Sequence, residues 1–151
     1  MPEAWRIVRE THLAAAFSGE GAAKFGGRWN SRGVAVVYAS ATRALAALEL
    51  LVHLNPPVFF KCKIIGLEFE ENLVERMKPA DLPADWRMEP PPVSSQRLGD
   101  AWVREDRSPV LAVPSVIVPE EFNYLLNPVH PDFKRVKLGK PRDFAFDPRL
   151  F

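Results

Sequence analysis

Cysteine is almost absent from this chain of 151 residues, which carries Cys62 alone. That excludes an internal disulfide and a cysteine-based zinc site, and it suits a reducing compartment. Charge of one sign is not in excess either. The 20 Lys plus Arg stand against 19 Asp plus Glu, a formal net charge of +1, so the broad positive field that draws proteins to phosphate backbones or anionic membranes is missing. No direct nucleic-acid partner is expected. The longest apolar run, near Ala44 to Leu54, is interrupted by Glu49 and is too short to span a bilayer. The opening Met1-Pro2-Glu3-Ala4-Trp5-Arg6 has no basic stretch leading into an apolar one. Neither export nor membrane insertion is expected, and the cytoplasm is the predicted location. The three histidines lack metal-ligand spacing, so no metal is expected. Gly19-Glu20-Gly21 is not completed by a third glycine, no Gly-Lys-Ser/Thr loop occurs, and no Gly-x-Ser-x-Gly elbow surrounds a serine. Neither a Rossmann dehydrogenase nor a kinase-like nucleotide enzyme fits.

What is present begins with 47% hydrophobic residues, enough for one domain over residues 1–151. Alternation around Trp5 predicts a short strand to Arg9, and the five glycines between Ser18 and Gly33 predict a structured loop. The continuous apolar run Val34 to Tyr38 reads as an interior strand. A helix follows from Thr42 to Leu54, opened by Ser40 or Thr42 and stopped by Asn55-Pro56-Pro57. Its predicted polar stripe is Thr42, Ala46, Glu49 and His53. Val58 to Glu70 reads as a strand whose apolar phase switches beside Gly66, which predicts a bulge or bend. Five prolines make Met77 to Pro92 an irregular connection. A helix from Ser95 to Arg104 precedes a strand at Val110 to Val113, broken at Pro114 and resumed at Val116 to Val118. Glu120 to Pro128 reads as a turn or short helix, and strands are expected around Arg135 to Leu138 and Asp143 to Phe146.

Four side chains carry chemistry. Arg28 follows Gly26-Gly27, where bare backbone lets a ligand approach and the guanidinium offers forked donors to phosphate or ribose, though a structural ion pair is the commoner use. Glu49 is a carboxylate on an apolar helix; it either reaches solvent along the polar stripe or faces a cleft, where it would stabilise cationic character in a sugar. Tyr38 suits stacking or hydroxyl donation as well as core packing. Ser115, set between Pro114 and Val116, suits a ligand contact or a turn bond. His53 is four residues past Glu49 and equally suits the helix end. Asn123, Asn127 and His130 read as turn and capping residues.

Taken in order, Gly26-Gly27-Arg28-Trp29-Asn30, Val37-Tyr38-Ala39-Ser40, Ala47-Leu48-Glu49, Leu98-Gly99-Asp100-Ala101-Trp102, Val113-Pro114-Ser115 and Asn123-Tyr124-Leu125-Leu126-Asn127-Pro128 resemble the RES-domain toxins of type II toxin–antitoxin systems. The Arg, Glu and Ser of that family's name match Arg28, Glu49 and Ser115. The resemblance implies an α/β (α+β) fold with a split mixed sheet around a cleft and flanking helices, similar to ADP-ribosyltransferases. It implies cleavage of the nicotinamide–ribose bond of NAD, which is substrate rather than bound cofactor. Mono-ADP-ribosylation of a cellular protein and a non-catalytic binding module are the alternatives. Arg28 and Tyr38 would hold the nicotinamide mononucleotide half, Glu49 the ribosyl cation, and Ser115 the ribose or nicotinamide region. An Xre-like antitoxin is the implied partner, with a homodimer within that complex.

Overall fold

The computed structural model describes residues 2–54 and 61–150. Its main elements are β1 (Glu3–Arg9), α1 (Glu20–Phe25), β2 (Val37–Ser40), α2 (Arg43–Leu51), β3 (Cys62–Glu68), β4 (Val74–Arg76), α3 (Val93–Arg104), β5 (Val110–Pro114), β6 (Phe122–Leu126), β7 (Lys137–Leu138) and β8 (Arg142–Phe144). The strands form one eight-stranded sheet in the order β4-β5-β6-β2-β1-β3-β7, with β8 also pairing β3. It is mixed, because β4 runs parallel to β5 while every other pair is antiparallel. The architecture is α+β.

Both faces of this sheet are covered, which explains why its central strands are apolar at consecutive positions. On one face Ala4, Val8, Val37, Ala39, Ile65, Leu67, Val110, Ala112, Tyr124 and Leu126 join a single core. The other face is covered in two parts. Leu98, Trp102 and Val103 of α3 pack with Leu111, Val113 and Leu125. Ala46, Ala47 and Leu50 of α2 pack with Ile7, Cys62 and Ile64. The split therefore lies in the covering layer, while the strand pairing beneath it is continuous. At the divide, Ser40 of β2 stands directly opposite Asn123 of β6.

Several sequence-based expectations are revised by this packing. The switch at Gly66 is not a bulge in the β1 pairing, whose register runs unbroken from Glu3↔Glu68 to Arg9↔Cys62. Instead Gly66 lies under the Trp5 ring, where an added Cβ would come within 2.8 Å. The extra residue is on the opposite side of β3: Ile64 pairs Arg142 and Leu67 pairs Leu138, so three steps along β3 meet four on its partner. Glu120 to Pro128 holds an interior strand, because Tyr124, Leu125 and Leu126 all find cover. The glycine-rich loop contains α1, entered and left through Gly19 and Gly26, both at φ 75°. Val36 is buried, yet the strand begins only at Val37. Val116 to Val118 does not resume β5 but turns back. In α2, Thr42 caps the helix through Leu45 N at 3.1 Å. Its polar stripe is narrower than expected, since Ala46 is buried, whereas Leu48 and Val52 are exposed. The predicted stop at Asn55-Pro56-Pro57 and the start of the following strand at Val58 lie outside the described residues.

Candidate active site

The segment Gly26 to Ser31 owes its shape to α3 and β2. Ser95 Oγ donates to Arg28 O at 2.7 Å and Gln96 Nε2 to Gly27 O at 3.0 Å. Asp100 accepts from Ser31 N at 2.9 Å and from Ser31 Oγ at 2.5 Å. Gly99 lets the helix come this close: a Cβ there would sit 1.7 Å from Trp29 O. Asn30 is fully buried. Its Nδ2 reaches Ala22 O, Ser31 O and Val34 O at 2.9, 3.2 and 3.0 Å, and its Oδ1 accepts the Tyr38 hydroxyl at 2.5 Å. Trp29 N donates to that same hydroxyl at 3.2 Å. Gly27 is the other close approach, since its Cβ would meet Tyr38 Oη at 2.7 Å. Tyr38 is thus a bonded part of the loop's foundation. Burial holds its phenol well above the ordinary tyrosine range; Asp100 adds to this, while the Trp29 amide and Arg28 oppose it.

Arg28 itself is aimed at the connection before α3. Its guanidinium donates to Trp86 O at 3.2 Å, to Met88 O, and to Glu89 Oε2 at 2.7 Å. The next residue of that connection, Arg87, reaches Val116 O at 3.2 Å. The Trp86–Glu89 segment therefore runs from Arg28 to the turn that follows Ser115. Trp86 also stacks on Trp29, with ring centroids 6.1 Å apart.

Glu49 and Ser115 meet directly. Ser115 Oγ donates to Glu49 Oε1 at 2.8 Å, and Asn123 Nδ2 donates to the same oxygen at 2.7 Å. Ser115 Oγ in turn accepts from Ile117 N and Val118 N, each at 3.1 Å. A ligand contact and a turn bond were the alternatives in the sequence; the serine makes the turn bond and also reaches Glu49. Asn123 was expected to be a turn or capping residue; it lies in β6 instead, against Glu49. Asn127 and His130 do form turns, through Val129 N to Asn127 Oδ1 at 3.1 Å and Asp132 N to His130 Nδ1 at 2.9 Å. His53 is exposed beyond the end of α2.

Tyr38 and Ser40 share one face of β2, and Ser40 Oγ donates to Asn123 Oδ1 at 2.7 Å. That strand therefore links the Arg28–Tyr38 half to the Glu49–Ser115 half. From the opposite face of the sheet Arg6 steadies it, donating to Tyr38 O at 2.8 Å and Ala16 O at 2.7 Å, with burial pushing the guanidinium down to about 10. Two concavities lie elsewhere. One of about 540 Å³ is lined by residues including Glu75, Met77, Leu98 and Arg107, and one of about 390 Å³ by residues including Trp5, Arg43, Gly66 and Arg142. Neither contains the residues just described; the site is marked by the direct contact of Glu49 with Ser115 and Asn123, and Arg28 points to the separate Trp86–Glu89 segment.

Comparison with known proteins identifies the family and the fold. The RES domain family matches residues 3–147. A curated relative from Sphingobium sp. (strain YBL2), named Prs ADP-ribosylating toxin, is 43% identical over 97% of this chain and 94% of its own. Toxin Res of Yersinia enterocolitica is 38% identical, with 97% of each chain covered. Among solved structures, the Mycobacterium tuberculosis MbcT–MbcA toxin–antitoxin complex contains a similar fold at a TM-score of 0.74 and 16% identity, covering 98% of this chain and 85% of that one. The fold and ordered motifs define an α+β toxin-type domain. The chain belongs to the RES-domain toxin family.

Proposed function

We propose that this protein is the toxin of a toxin–antitoxin pair and cleaves the bond between nicotinamide and ribose in NAD. The observation that carries the proposal is a carboxylate, Glu49, whose Oε1 is held by two donors from β6 and the turn after β5 while no donor among the described residues reaches Oε2. A fixed anion of this kind lowers the barrier to an oxocarbenium ion. The C–N bond breaks with its electrons passing to the departing nicotinamide, which neutralises the pyridinium. A nucleophile then attacks the sugar carbon and gives up its proton. Arg28 holds a phosphate of the substrate once Glu89 yields its place, and Tyr38 fixes the loop carrying Arg28. Ser115 orients Glu49. An Xre-like antitoxin covering the divide between α2 and α3 supplies neutralisation, and two copies pair within that complex.

Incubating the purified protein with NAD, with and without inorganic phosphate, tests this; release of free nicotinamide is expected, and NAD left intact in both over hours refutes it. One relative's name, Prs ADP-ribosylating toxin, favours a second reading in which a protein side chain is the nucleophile. NAD labelled on its adenylate separates the two, the labelled ADP-ribose remaining free in the first case and migrating with a polypeptide in the second. Unchanged behaviour of Glu49→Gln marks a non-catalytic binding module.

A further inference from the structure

The hydrogen bonds around Glu49 have only one consistent set of directions. Ile117 N and Val118 N both donate into Ser115 Oγ at 3.1 Å, so its single proton is left for Glu49 Oε1. Asn123 has two orientations in principle, related by exchanging its oxygen and nitrogen. With Oδ1 turned toward Glu49, two oxygens would face each other at the 2.7 Å now spanned by Nδ2. With Nδ2 there, Oδ1 falls 2.7 Å from the buried Ser40 Oγ, which can donate to it. The register supports this, because Ser40 and Asn123 are paired across β2 and β6.

We infer that Asn123, locked by Ser40, is a positioning residue that gives the two oxygens of Glu49 different tasks. Oε1 is turned into the protein by Asn123 and Ser115, and Oε2 is presented to the ligand. Without Asn123, the carboxylate is tethered by one serine and rotates about its last torsion, which is broad for a carboxylate. The mechanistic half of this inference rests on the NAD-cleaving activity proposed above; the lock itself does not.

Asn123→Asp and Ser40→Ala test it. In N123D a second carboxylate faces Glu49 across the same contact, so NAD cleavage is lost at neutral pH and returns on acidification, when the pair holds a proton that can bridge it. In S40A the asparagine keeps its donor but loses its lock, and kcat falls by roughly three- to tenfold with KM unchanged. Asn123→Ala lowers kcat by about ten- to a hundredfold, and it decides the matter if N123D fails to fold. The lock is read separately, with no substrate, from the side-chain amide protons of Asn123 by NMR. They exchange slowly in the native protein and quickly in Ser40→Ala and Glu49→Ala. A native-like pH profile in N123D, or S40A and Asn123→Ala variants that melt lower with kcat intact, overturns the positioning role. Fast amide exchange in the native protein overturns the lock whether or not NAD is cleaved.

Discussion

Glu49→Gln is the sharpest perturbation, because the structure separates what it removes from what it keeps. Ser115 Oγ and Asn123 Nδ2 both donate to Oε1. Both need an acceptor oxygen there, so the glutamine must turn its carbonyl toward them and its amide outward. Two bonds survive in weaker, uncharged form, and no buried donor is orphaned; the cost to folding should stay under about 1 kcal/mol. For a chain of this size that lowers the melting temperature by no more than about 4 °C. The outward group, by contrast, changes from a fixed anion to the positive end of an amide. Removing one positioned electrostatic group of this kind costs about 3–4 kcal/mol in the transition state, at least roughly a hundredfold in turnover. The assay is nicotinamide release at saturating NAD, beside a thermal melt. Turnover within a few-fold of the native protein refutes the catalytic assignment. So does a loss accompanied by a melting drop beyond about 10 °C, since the carboxylate would then be structural. Glu49→Ala is the contrasting control: it orphans the Ser115 and Asn123 donors and is expected to destabilise by about 1–3 kcal/mol.

Other outcomes follow from separate parts of the structure. Gly99→Ala places a methyl 1.7 Å from Trp29 O, so α3 must retreat from the Arg28 loop; a loss of about 1–3 kcal/mol is expected in chemical denaturation, and an unchanged midpoint refutes the contact. Tyr38 and Tyr124 are the two tyrosines, and Tyr38 is held above its unfolded value of about 10. Its folded pKa is the higher one, so its contribution to stability is complete below about pH 10 and is lost as pH rises past that point. Its phenolate absorbance should therefore appear together with unfolding, and ionisation of Tyr38 near pH 10 in the intact fold contradicts this. Glu89→Gln removes a competitor for Arg28, and KM for NAD should fall about two- to fivefold, the scale of a partly exposed ion pair. A raised KM means that Glu89 contributes to binding.

The candidate residues were easier to name from the sequence than the residues that hold them. Arg28, Tyr38 and Ser115 are each accounted for locally by an ion pair, core packing or a turn bond, and Glu49 by a solvated stripe, so it was the ordered family motifs that singled the four out. Helices α2 and α3 were legible because local periodicity survives wherever one face of an element is exposed. Legibility failed where both faces are covered. Consecutive apolar residues at Ile64-Ile65 imitate a bulge, and Tyr124-Leu125-Leu126 imitates a turn or helix, because a doubly covered strand has no period of two to display. Asn123 was hidden by the same cause. Once the segment is read as a turn, an asparagine in it needs no further explanation, and only the pairing of β6 with β2 turns it toward Glu49. Glu89, Ser95 and Gln96 act on Arg28 and Gly27 across more than sixty positions of chain, a separation that no local pattern encodes.

The near-neutral charge of the chain is compatible with an anionic substrate because the relevant field is local. Arg28 is 14% exposed at its side chain and Glu89 is 75% exposed. The first is poorly screened by water and the second well screened, so their contact is a weak one for Arg28 to give up. The main-chain carbonyls of Trp86 and Met88 are a different kind of partner. They fix the direction of the guanidinium without neutralising it, and they belong to a segment tied through Arg87 to Val116, one residue past Ser115. An anion that replaces Glu89 thus meets a cation already aimed, on a segment that also touches the turn orienting Glu49.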